Sequence, residues 1–382
     1  MNLYDYINAS DGDKIKWLDS IKIVSGLPYF GGKRYIGKYL LNNIFNMAAR
    51  MHADGHGADV FVDAFGGGGK IALSVPEGWF KEIVLNDINY GVYSYFECCR
   101  DNPGALVRMI SELGKVMSKE AFKFFVDNRD NEDKDEKGEA CIKPLVSAAM
   151  TYWVTNASYR GIASKKRAAY ELELDGREKE EIKGIAERAE EVVGMVHDKI
   201  KRLHIRVERL DYRELIKKYN GKDYREYGCD GVKKEEVFKD FNKLWYFDPP
   251  YHPAALSGGI PAPYEDTFEA GQTREMAGLL HGDSEKEYGA IEYFIKSDYS
   301  PRDIYERKNK AGEDTAYLEQ YIHDYDMLEE NEEWEGHPAN KLNPVFYKTF
   351  LGEFNKGQDD NMGSKLKGRE YIWCRGNYIP EK

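Results

Sequence analysis

A chain of 382 residues with 42% hydrophobic side chains can bury one large core or two smaller ones, and its net charge of −12 weighs against a surface built mainly to neutralise phosphates. No apolar run approaches the roughly eighteen residues of a membrane span, and the acidic, polar start MNLYDYINASDGDK is unlike a secretory signal, so a cytoplasmic location is expected. Cys98, Cys99, Cys141, Cys229 and Cys374 form no C-x-x-C pair, and the spaced His52 and His56 lack a helical zinc motif, which together argue against a disulfide framework or a structural metal.

The acidic excess is uneven. Much of it lies in Asp127–Glu139 and Asp324–Glu335, read as solvated loops, while basic clusters remain at Lys165–Arg167, at Lys199, Lys201 and Arg202, and at Lys217 and Lys218. A polyanion partner is therefore not excluded by charge.

In chain order, the first informative stretch is Ile21–Phe45. Its glycine pair, Gly31 and Gly32, stands between Pro28, Tyr29 and Phe30 and a basic segment opening with Lys33 and Arg34, and a helix is predicted over Ile36–Met47. Ala58–Val75 follows, a β-branched and aromatic run that meets four consecutive glycines and then an apolar segment of helical character. Strand, glycine turn and helix make the first unit of a nucleotide-binding α/β fold. The spelling excludes a P-loop, because Ile71 stands where Ser or Thr would hold Mg²⁺ and Ala64 where the first glycine belongs. The dinucleotide pattern fits only loosely, as Gly67, Gly69 and Ala72.

Glu82–Phe96 is a second apolar run carrying Asp87 at its strand end, a place from which a carboxylate accepts hydrogen bonds from ribose hydroxyls. An ordinary polar turn is the other reading of that residue. Together the two units suggest a nucleoside-like cofactor without a diphosphate, a description that S-adenosylmethionine fits.

From Asp101 to Lys201 helical spacing dominates, with Ile182, Ile185, Ala189 and Val193 recurring at three to four residues, which predicts a helical insertion. Within it, Lys143–Arg167 interleaves aromatic and basic residues as nucleic-acid surfaces do, although Tyr152 and Trp153 read more readily as core. Strand character returns at Leu203–Ile216 with Asp211 at its end, and again at Leu244–Tyr251, LWYFDPPY. There a buried strand stops at Asp248, Pro249, Pro250 and Tyr251, because neither proline can donate to a ladder, and a carboxylate and a phenol are presented beyond the strand end. A Gly- and Pro-rich loop, a helix over Thr273–Leu280, a strand over Ala290–Ile295, a helix or strand at NPVFYKTFLGEF and a closing strand at REYIWCRGNY complete the expected order.

These motifs, in this order, resemble the Dam-type adenine-specific DNA methyltransferases. PYFGGK resembles the family's N-terminal signature and FVDAFGGGGK its cofactor loop, matched at Phe65, Gly67 and Gly69; Gly66 and Gly68 fill variable positions of that loop. LNDIN resembles the ribose-binding strand end, LDYREL the element near the cofactor adenine, DPPY the catalytic tetrapeptide and YEDTFEAGQTREMAGLL the segment after it. Departures are Ala64 where Pro is common, Lys70 where a small residue is usual, and only a loose match of Tyr159, Arg160 and Gly161 to a Phe-Asn-Gly element.

The resemblance implies a Rossmann-like α/β sheet formed by residues 1–100 and 202–382, with 101–201 as a helical target-recognition insertion. It further implies S-adenosylmethionine held by Tyr29, Lys33, Phe65, Gly67, Gly69, Asp87 and Asp211, methyl transfer to an adenine N6 in double-stranded DNA through Asp248, Pro249, Pro250 and Tyr251, and the prospect of a restriction endonuclease partner. Two alternatives are N4-cytosine methylation, where Ser more often replaces Asp248, and an inactive DNA-binding module of the same fold.

Overall fold

Two kinds of sequence signal decide the elements: short β-branched or aromatic runs become strands, and capped, periodic stretches become helices. The computed structural model describes residues 1–29, 37–132, 142–158, 161–165, 168–172, 178–220 and 242–250, the backbone of 294–298, 347–355 and 367–375, and isolated positions between 272 and 312. The predicted closing loop after Tyr251, the Lys33 and Tyr251 positions, the Tyr159–Arg160 pair and most of the helix expected over Thr273–Leu280 lie outside the described residues. The chain forms two compact units, chiefly 1–37 with 60–211, and 38–59 with 212–382.

In the first unit, helices α1 (Leu3–Asn8) and α2 (Asp11–Ser20) open the chain. Asn2 and Ser10 cap them by accepting backbone N–H groups three residues on, and Trp17 stacks on Trp79. Strands β1 (Val60–Asp63), β2 (Glu82–Asn86) and β3 (Ile205–Glu208) run parallel in the order β3-β2-β1, with Val60 opposite Glu82 and Ile83 opposite Ile205. Such a run needs long crossovers, and the β2 to β3 crossover is the helical part of the chain.

That part holds α4 (Tyr90–Asp101), α5 (Pro103–Gly114), α6 (Lys119–Asn128), α7 (Pro144–Ala157) and α8 (Glu178–Arg202), with α4 and α8 against β3. α5 and α7 begin with Pro at their first positions, where the missing N–H costs nothing. α7 is the central helix, buried from Ser147 to Thr155. Tyr152 donates to the Ile185 carbonyl at 3.0 Å and the Trp153 indole to the Ile110 carbonyl at 2.8 Å, so both rings are core and take no part in a nucleic-acid surface. α8 buries Ile185, Ala189, Val193, Val196 and Ile200, a single stripe at the predicted spacing; its larger aliphatics contribute roughly 1.5–3 kcal/mol each.

The apolar segment after the glycines is not the helix expected of it. Ile71–Val75 makes one 3₁₀ turn, Ala72–Ser74, because Pro76 holds Val75 extended and stops helical propagation. The turn is still buried, and Ser74 Oγ accepts from the Val24 N–H at 2.9 Å.

The second unit carries α3 (Gly37–Ala53), α9 (Tyr212–Asn220) and strands β4 (Lys243–Phe247), β5 (Phe294–Asp298), β6 (Tyr347–Asn355) and β7 (Lys367–Arg375). α3 starts within one residue of the expected position and extends six residues further, and the NPVFYKTFLGEF segment, compatible with helix or strand, forms β6. β4 and β5 are parallel, β7 is antiparallel to both β5 and β6, and the β6–β7 ladder shifts register between Phe350 and Gly352. Leu244–Phe247 is fully buried, with the Trp245 and Phe247 rings stacked at 5.7 Å. On α9, Arg213 grips Glu275 through two hydrogen bonds of 2.6 and 2.5 Å, which holds that carboxyl below its ordinary range. Among the described residues no helix is long and apolar enough to cross a membrane.

Cys98 and Cys99 are free thiols inside α4. Burial pushes Cys98 up to about 12, with Glu97 and Asp101 adding to the shift, and burial raises Cys99 as well. The reactive thiolate is therefore absent near neutral pH. Maleimide treatment of the native protein is expected to leave both unmodified by peptide mass spectrometry, with labelling only after unfolding; rapid native labelling would contradict the burial.

Candidate functional site

The first unit gathers most of its candidate residues beyond the carboxyl ends of β1, β2 and β3, where an open parallel sheet places ligands. After β1 the chain turns through Ala64–Gly69. Gly67 and Gly69 have φ of +49° and +71°, the left-handed region that glycine enters without strain. Gly68, at a variable position of the family pattern, is fixed by close approach: a Cβ there would lie 2.5 Å from the Leu27 carbonyl oxygen. That contact is stitched by the Gly26 N–H donating to the Gly68 carbonyl at 2.9 Å and by Ser25 Oγ donating to it at 3.2 Å.

The stitching fixes Tyr29. Its half-buried ring stands over the loop, with Cδ1 3.2 Å from where a Gly67 Cβ would be. Gly161 also presses on this segment, since a Cβ there would lie 2.2 Å from the Pro28 carbonyl oxygen. Gly161, from the loosely matched element after α7, thus packs against the N-terminal motif.

Asp87 follows β2 and anchors the loop. Its Oδ2 accepts from the Gly67 N–H at 2.8 Å and its Oδ1 from the Asn89 N–H at 2.9 Å. Both carboxylate oxygens thus hold backbone donors, which ties the start of α4 to the glycine loop. Asn89 in turn caps α4 by accepting from the Val92 N–H. Asp211 lies beyond β3, half-buried, directly before α9.

Two residues here escaped the sequence reading. The buried side chain of Asn86 bonds the backbone after both neighbouring strands, at Ala64 and Leu210. Arg209 pairs with both oxygens of Glu132, donates to the Ile88 carbonyl at 3.1 Å and lies 5.1 Å from the centre of the Tyr90 ring, joining the ends of β2 and β3. Burial raises the Tyr90 phenol, which stays protonated beside this pair.

In the second unit, β4 delivers its own constellation. Four buried residues lead to half-buried Asp248, buried Pro249 and half-buried Pro250, so a carboxylate and a proline carbonyl follow a rigid strand end. Of the eleven residues singled out from sequence, Tyr29, Phe65, Gly67, Gly69, Asp87 and Asp211 fall together on the first unit. Asp248, Pro249 and Pro250 fall on the second. Among the described residues no cluster of His, Cys, Asp or Glu is arranged to hold a metal ion.

The cradle and the strand-end acceptors agree with what the chain is similar to. A search of curated proteins finds no match. A family model, D12 class N6 adenine-specific DNA methyltransferase, matches residues 29–258, more than half of the chain and a span that includes both the glycine loop and Asp248. The chain, with its Rossmann-like α/β fold, belongs to the D12 class N6 adenine-specific DNA methyltransferase family.

Proposed function

We propose that the chain takes its methyl group from S-adenosylmethionine, held by Tyr29, Lys33, Phe65, Gly67, Gly69, Asp87 and Asp211, and delivers it to an adenine N6 held by Asp248 and Pro249. Adenine-specific DNA methylation follows from the family, which favours it over N4-cytosine methylation. The observation that carries the donor half is the pairing of the Gly67 N–H with Asp87: a side-chain-free loop, an aromatic ring against it and a carboxylate at the next strand end fit a nucleoside carrying ribose hydroxyls. When bound, S-adenosylmethionine supplies an electrophilic methyl on a sulfonium.

The chain's own residues address the other half of the problem, an exocyclic amine whose lone pair is delocalised into the ring. Asp248 and the Pro249 carbonyl accept its two hydrogens and draw the nitrogen toward tetrahedral geometry, which frees and aims the lone pair. The amine gains positive charge as it attacks, and the Asp248 carboxylate stabilises that charge. Tyr251 stacks on the base, which must leave the duplex at a cost of about a few kcal/mol. Residues 101–201 serve target recognition in this reading. An endonuclease partner would sense the product directly, because N6 is the adenine donor displayed in the major groove.

The test is to incubate unmethylated duplex DNA with the protein and S-adenosylmethionine carrying a deuterated methyl, then digest to nucleosides and weigh them. Labelled N6-methyladenine is expected. Labelled N4-methylcytosine would overturn the acceptor, and N6-methyladenine without label would overturn the donor.

A further inference from the structure

Asn86 carries more than a strand end. It is 1% exposed, and its amide makes three hydrogen bonds to backbone on both sides: Nδ2 donates to the Ala64 carbonyl at 2.9 Å and to the Leu210 carbonyl at 3.0 Å, and Oδ1 accepts from the Leu210 N–H at 2.9 Å. Its own carbonyl accepts from the Gly66 N–H at 2.7 Å. Toward Leu210 the side chain therefore imitates a strand, pairing with N–H and C=O of one residue, and toward Ala64 it ties down the turn into the glycine loop.

The register of these contacts is what gives them meaning. The three residues joined are Ala64, Asn86 and Leu210, and the residues that follow them are Phe65, Asp87 and Asp211. Each of those is assigned to the methyl donor in the reading above. One buried amide thus sets the mutual spacing of one aromatic and two acidic groups that lie beyond the ends of three different strands.

We infer that Asn86 is a positioning residue for the methyl donor, a clamp that fixes Phe65, Asp87 and Asp211 relative to one another. The inference rests on the proposed donor site. No other side chain of standard type does this work in the same space: aspartate has the shape but no donor for the Ala64 and Leu210 carbonyls, and alanine leaves three buried backbone groups without partners.

Calorimetry with S-adenosylmethionine on the full chain tests it, with Asn86→Ala, Asn86→Asp and Tyr152→Phe beside the wild type. Tyr152→Phe removes a buried hydrogen bond in the helical layer and reports what lost stability alone does to affinity. Both Asn86 variants are expected to lose at least about tenfold in affinity while their far-ultraviolet circular dichroism and cooperative melting persist, and Tyr152→Phe is expected to melt lower and bind as the wild type does. A folded Asn86 variant with the wild-type dissociation constant, or a Tyr152→Phe loss as large as that of Asn86→Asp, overturns the clamp. A wild type that binds no donor refutes the donor site itself, and is visible before any variant is made.

Hydrogen exchange on the wild type alone covers the case in which the variants do not fold. Donor binding is expected to slow exchange at the Gly66 and Leu210 amides, the two that Asn86 holds. Donor binding with unchanged exchange at both amides overturns the inference.

Discussion

Asp248→Ala is expected to bind S-adenosylmethionine with the wild-type dissociation constant and to lose methyl transfer by roughly a thousandfold or more. The first half follows from the fold. Asp248 lies past the last residue of β4, half-buried, after four residues whose burial is complete without it, so the strand and the two prolines stay as they are. The residues proposed to hold the donor belong to the other compact unit. The second half follows from the chemistry: an acceptor that interacts most strongly as the amine becomes positive contributes to the transition state rather than to binding, and removing one such group costs on the order of 10²–10³ in rate. In the proposed mechanism the same carboxylate also aligns the lone pair, which raises the expected loss. Asn at this position keeps one acceptor oxygen without the charge, so Asp248→Asn should fall between wild type and Ala. Single-turnover transfer with enzyme in excess isolates the chemical step. Transfer at the wild-type rate in either variant would remove Asp248 from the mechanism.

The parts of this site that were legible in the sequence are those whose physics is local. A β-branched run that meets glycines, an acid at the end of the next run and a strand cut off by two prolines each announce themselves within about ten residues, and the backbone follows them at β1, β2 and β4. Where the local signal was incomplete, a single neighbour decided the outcome. Ile71–Val75 is apolar enough for a helix, and Pro76 limits it to one 3₁₀ turn.

Asn86 and Arg209 were illegible for the opposite reason. A polar residue at a strand end has no periodicity, and the meaning of Asn86 lies in Leu210, 124 positions away along the chain. Gly68 belongs with them, since its necessity comes from the Leu27 carbonyl and not from its own turn. Tyr152 and Trp153 show the converse. Despite aromatic and basic surroundings they read more readily as core, and burial with two carbonyl partners bears that out.

Asp87 offers the second large effect, and it acts on binding. Asp87→Ala is expected to weaken S-adenosylmethionine binding by roughly a hundredfold or more, because it removes the proposed acceptors for the ribose hydroxyls and releases the Gly67 and Asn89 N–H groups that both oxygens hold. Asp87→Asn separates these contributions. Its amide has one acceptor oxygen, so one of the two N–H groups would face an N–H donor, and the isosteric change still disturbs the loop. With Asp248 untouched, saturating donor should restore much of kcat in both variants while KM for S-adenosylmethionine rises, the reverse of the Asp248 pattern. A calorimetric dissociation constant unchanged in Asp87→Ala would refute the role. Equal losses for Asn and Ala would instead assign most of the effect to loop anchoring, since the amide oxygen can still accept from one hydroxyl.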